Sequence, residues 1–172
     1  MGNTMRYMAF FLVVFSTTAV AVAVAKTVSN TKAVETYKNQ LEETKRIFNE
    51  TQSTLMGATA VFDMYKNLGY LTPEVVAVSR HFLLLDEDAK KLYGENLLLN
   101  PTPFSSCATL PAAAYSYWMA RLSSLKTDNV KAVNAQGESY IKQGKECKFA
   151  INNPPPAHIE ESDDVEIIDV TQ

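Results

Sequence analysis

The sequence predicts an all-α fold: a small antiparallel helical bundle with one long N-terminal helix, placed after a signal peptide and before a disordered acidic C-terminal tail. Three observations carry that expectation. From Val34 to Tyr65, apolar side chains recur at alternating steps of three and four, the spacing of one face of an α-helix. The motif Gly69 to Thr72-Pro73-Glu74 stops one helix and starts another within a few residues. A second periodic segment follows it at once, and so short a link makes the two helices antiparallel neighbours.

At 172 residues the chain is long enough for one domain with appendages. Residues 1–25 form a signal peptide or an uncleaved span, 26–150 a helical bundle, and 151–172 a Pro-led acidic tail. In the leader, Arg6 precedes an uncharged run from Tyr7 to Ala25 that ends Ala23-Val24-Ala25. Charge, apolar run and small-residue A-x-A end are the order of a secretory signal. Nineteen uncharged residues also nearly cross a bilayer, so membrane attachment would come only through this leader, if it stays. Either outcome places the body outside the cytosol, in the periplasm or at the cell surface.

The net charge of -3 is unevenly spread. Residues 26–150 hold fifteen Lys/Arg and thirteen Asp/Glu, whereas 151–172 hold six acids and no Lys or Arg. A near-neutral body lacks the concentrated basic surface that nucleic acid requires.

The first helix changes character along its length. Thr44 and Thr51 occupy seam positions in its first half, among Asn39, Gln40, Glu43 and Glu50. Such a seam makes a poor free-standing coiled coil. From Ile47 a second apolar row, with Val61 and Leu68, widens the face to that of a bundle helix. The first half is therefore expected to dock loosely, leaving Tyr37 and Leu41 as apolar groups available to a partner, with Lys38 and Glu42 as a polar rim.

Gly69 suits the left-handed position after a helix end, and Thr72, Pro73 and Glu74 form a helix start. Val75, Val78, Phe82, Leu85, Ala89 and Leu92 make the second stripe. Val76, Leu83 and Leu84 add apolar surface off it, so Val76 and Leu83 join the candidate partner surface. Leu97 to Leu110 reads as a proline-punctuated loop leading to Cys107. Pro111 to Leu125 reads as a third, alanine-rich helix, and a turn at Lys126–Asp128 introduces a fourth, ending near Lys148. Its seam includes Gly137 and Gly144, which cost about 1 kcal/mol each against alanine; they suit either the close approach of another backbone or of a bulky ring such as Trp118, or a frayed, weak helix.

Cys107 and Cys147 are the only cysteines. In an oxidising compartment they are expected to pair as a disulfide, tying the loop before helix three to the end of helix four. The tail opens with Asn152-Asn153-Pro154-Pro155-Pro156, which breaks the helix, and runs through Glu160–Asp164 as a solvated acidic segment. Val165-Glu166-Ile167-Ile168-Asp169-Val170 carries β-branched residues suited to adding an edge strand to a partner's sheet.

No catalytic, cofactor-binding or metal-ligating constellation stands out. His81 and His158 are far apart in sequence, Asp86-Glu87-Asp88 fan around a helix axis, and no phosphate loop or nucleophile elbow occurs. The chain is therefore expected not to be an enzyme and to take protein partners.

The stretch Glu35-Thr-Tyr-Lys-Asn-Gln-Leu-Glu-Glu-Thr-Lys-Arg-Ile-Phe-Asn-Glu-Thr-Gln-Ser-Thr-Leu-Met-Gly57 resembles the first mature helix of minor pilin-tip subunits of bacterial type IV secretion and conjugation systems. The resemblance covers the first third of the mature chain and assigns no functional residue. It implies an exported structural subunit, a pilus-associated component whose partners include other secretion-system subunits. The other function class compatible with the residues is a periplasmic binding module, such as an inhibitor, immunity-type protein or chaperone, acting on one protein partner. An apolar patch on helix one or two favours the first, a deep pocket near Trp118 the second.

Overall fold

The structure, a computed structural model, describes residues 26–161. The leader and the segment Val165–Val170 lie outside the described residues. The elements run β1 (Lys26–Ser29), α1 (Thr31–Leu68), α2 (Pro73–Tyr93), α3 (Ser105–Ala108), α4 (Leu110–Thr127), α5 (Val130–Asn152) and β2 (His158–Glu161). The fold is an all-α bundle, with four long helices, one short helical turn and a two-stranded antiparallel ribbon among the described residues.

The turns follow the local chemistry. Gly69 takes φ 75° and donates its N–H to the Tyr65 carbonyl, closing α1 in the backbone region that a side chain disfavours. Thr72 is extended and Pro73 opens α2. Asp128 closes α4 with φ 48°, and the Asn129 side chain accepts the Ala132 N–H at the start of α5. Helix α4 packs against α1, α2 and α5, while α5 also covers α3.

The core divides in two along α1. One part gathers Leu55, Ala58, Tyr65, Val75, Phe82 and Leu122 around Trp118, near the α1–α2 turn. The other gathers Tyr37, Ile47, Tyr93, Phe104, Leu110 and the two cysteines at the opposite end. Cys107 and Cys147 are bonded, with their Cα atoms 4.6 Å apart.

Helix α1 is not loosely held before Lys45. Thr44 is fully buried and its Oγ1 accepts the Tyr93 hydroxyl at 2.8 Å. Thr51, equally buried, donates back to the Ile47 carbonyl at 2.7 Å. The threonines are small side chains whose hydroxyls are satisfied inside the bundle, so they tighten the seam. Farther out, Gln40 Nε2 donates to the Leu92 carbonyl at 2.9 Å. Arg46 spans Glu43 and Glu50 on its own helix and Asp88 on α2.

The segment 97–110 also does more than connect. Phe104 is fully buried and its ring stacks on Tyr37 with centroids 4.9 Å apart. Thr102 and Ser105 hold the backbone that delivers it: the Ser105 N–H and Oγ both donate to the Thr102 carbonyl, and the Phe104 N–H donates to Thr102 Oγ1. At Gly137, a Cβ would stand 3.2 Å from Cε2 of Tyr117. The close ring is therefore Tyr117, not Trp118, and it stacks on Tyr140.

The first residues of the tail belong to the body. The Asn30 N–H donates to the Ala157 carbonyl and its Nδ2 to the Pro156 carbonyl. Beyond that clamp His158–Glu161 runs antiparallel to Lys26–Ser29, with Val28 opposite Ile159. Pro154–Pro156 forbid continuation of α5, which turns the chain back to where α1 begins.

Candidate functional site

The four residues expected on a partner surface fall into two groups. Tyr37 is a core residue, 8% exposed, whose hydroxyl donates to the Ile151 carbonyl at 2.5 Å. Leu41 is half-buried against the same cluster. Neither is available to a partner, because Phe104 and the end of α5 cover the first half of α1. Val76 and Leu83, by contrast, stand 48% and 45% exposed on α2.

Their placement follows from Ser79, which lies three residues after Val76 and four before Leu83. The Trp118 indole N–H of α4 donates to Ser79 Oγ at 2.9 Å, and that hydroxyl donates to the Val75 carbonyl. Val76 and Leu83 flank Ser79 on α2, on the exposed side of the helix and about 10 Å apart along its axis. On α4, exposed Met119 follows the buried Trp118. Toward the α1–α2 turn, Tyr65, Leu71, Met119, Leu122, Ser123 and Lys126 line a groove of about 200 Å³. Leu71 is well exposed and lies one helical turn before Val76, whose N–H reaches the Thr72 carbonyl. Exposed apolar side chains thus follow one another from Leu71 to Val76 and Leu83, and at the Leu71 end Met119 shares the groove, with Ser123 and Lys126 as its polar lining. Leu84 is exposed on the far flank of α2.

Sequence reasoning missed Leu71 and Met119. Leu71 sits in a turn, where only the stop signals drew notice, and Met119 lies on a helix apolar nearly all round. Its neighbour Tyr70 is also exposed; two consecutive large apolar residues in a four-residue turn were the available signal.

Charged groups in the second half of α2 pair with neighbours. Asp86 accepts Lys90 at 2.6 Å, and Asp88 accepts Arg46. Glu43, then Asp88 and Glu50, hold the Arg46 guanidinium more firmly protonated than an ordinary arginine. Arg121 lies over the Phe62 ring, 4.3 Å from its centroid. Among the described residues no three His, Cys, Asp or Glu side chains converge as metal ligands. Burial raises two phenols, Tyr93, pushed up to about 12, and Tyr140.

A second and larger apolar groove, about 560 Å³, opens beside the disulfide between Pro103, Phe149, Ala150 and Pro155, with Lys145 and Glu146 on its rim.

No protein-family model, curated protein or solved structure matches the chain. The functional reading therefore rests on residues and geometry.

Proposed function

We propose that this chain is an exported helical interaction protein, and in its finer form a pilus-associated component of a type IV secretion or conjugation apparatus. The observation that carries the coarser reading is a run of exposed apolar side chains, Leu71 in the α1–α2 turn and Val76 and Leu83 on α2, that nothing among the described residues covers, with Met119 sharing the groove at Leu71. Val76 and Leu83, about two helical turns apart, fit an amphipathic helix of another subunit laid along α2 with apolar side chains at i, i+4 and i+7. The Cys107–Cys147 bond supports an oxidising compartment. The order of Arg6, an uncharged run and Ala23-x-Ala25 supports export. The finer form rests on the resemblance of Glu35–Gly57 to pilin-tip helices.

A binding module with a deep recess near Trp118 has less support, since that ring is fully buried and the neighbouring groove is small.

The test places a photo-crosslinking residue at Leu83 in cells that make the protein natively. Capture of an envelope secretion subunit, identified by mass, is expected. It should disappear when Val76→Asp is added, although an exposed site like Val76 should change stability by no more than about 0.5 kcal/mol. Intact mass of the envelope protein should correspond to residues 26–172. Absence of a crosslink, or one indifferent to Val76→Asp, would contradict the reading.

A further inference from the structure

The outward face of α5 carries an apolar and basic surface that nothing among the described residues covers. Ile141 and Phe149 are 53% and 67% exposed. Lys142, Lys145 and Lys148 are exposed within the same third of the helix circumference. Lys142 has Glu146 at 4.0 Å; Lys145 and Lys148 have no carboxylate within ion-pair distance among the described residues. Phe149 and Lys145 also border the 560 Å³ groove, whose far wall includes Pro103 and Pro155.

The chain itself contains a segment of the opposite character. Residues 162–172 follow β2 directly and carry Asp163, Asp164, Glu166 and Asp169 with no Lys or Arg, interleaved with Val165, Ile167, Ile168 and Val170. Reach selects between the two apolar surfaces. Eleven residues span at most about 36 Å. Returning along the four-residue strand uses about 13 Å, and Ile141 lies roughly 18 Å up α5 from Asn153. The groove at Phe149 is nearer still. The α1–α2 turn is not reachable: α1 alone is about 57 Å long, and the tail starts near its other end.

We propose that Val165–Val170 folds back over the outward face of α5 in its own chain, with its branched side chains on the Phe149 groove and its carboxylates toward Lys145 and Lys148. The segment then shields the 560 Å³ apolar groove beside the disulfide, and the Leu71–Leu83 edge stays open to a partner. This proposal is independent of that partner's identity.

Zero-length carbodiimide crosslinking of the full chain, mapped by mass spectrometry, tests it. Bonds between Lys145 or Lys148 and Glu166 or Asp169 are expected within the monomer. They should fall about tenfold in Ile167→Asp/Ile168→Asp, which removes the apolar contacts but keeps Glu166 and Asp169. About 0.5 M salt should weaken them as well. Three results would overturn the proposal: no such bonds, bonds indifferent to the double substitution, or bonds found only in a crosslinked dimer, which would assign the groove to a second copy's tail.

Discussion

At the disulfide end of the bundle, three aromatic rings, a covalent bond and a set of polar contacts meet around the start of α1. At the turn end, Trp118 and Phe82 anchor a core of comparable size whose side-chain hydrogen bonds run through one hydroxyl, Trp118 to Ser79 and Ser79 to the Val75 carbonyl. The first end spends its polar groups internally: Tyr93 on Thr44, Tyr37 on Ile151, Gln40 on Leu92. The second leaves an apolar fringe of Leu71, Val76, Leu83 and Met119 outside its core. The difference separates two jobs within one fold. Directional bonds set which helices meet and where the chain ends return, while the surface left over after packing is what a partner can use.

The covalent tie should give the largest effect. Cys107 and Cys147 are 40 residues apart, and a loop of that size corresponds to about 4 kcal/mol in the chain-entropy model. Cys107→Ser with Cys147→Ser should lower the melting temperature strongly, measured by circular dichroism. A change of only a degree or two would mean that the aromatic cluster holds this end without the bond.

A smaller effect should appear at high pH. Burial raises Tyr93 to about 12 from its ordinary value of 10.0, so the fold favours the neutral phenol. The resulting stability is complete below pH 10, where an unfolded tyrosine is also neutral, and is lost as the pH rises toward 12. The loss should be on the order of 2–3 kcal/mol. Tyr93→Phe should flatten that part of the stability profile. An unchanged slope would assign the alkaline loss to other groups.

Much of the helical frame was legible in the sequence because its signals are local. Gly69, Thr72-Pro73 and the three-and-four spacing each act within a turn or two of chain. The cysteine pair was legible because only one pairing exists. What the sequence hid was set by distant partners. Thr44 looks like a flaw in a seam until Tyr93, 49 residues away, is placed against it. Tyr37 looks available until Phe104 and the end of α5 are laid over it. Four-residue strands 130 positions apart have too little pattern to announce their pairing. Val76 and Leu83 could be identified as surface because they lie off a stripe that already fills the core side of α2.

The division into two ends is tested most directly by native-state hydrogen exchange of the protein with its disulfide intact and then reduced. If the ends are held by different means, reduction should cost at least about tenfold in amide protection in α3, the last turns of α5 and the start of α1. Amides of α2 and α4 around Phe82 and Trp118 should keep theirs to within about twofold, since no bond there is lost. Equal loss of protection throughout the bundle would contradict this, and would mean that one cooperative core holds both ends.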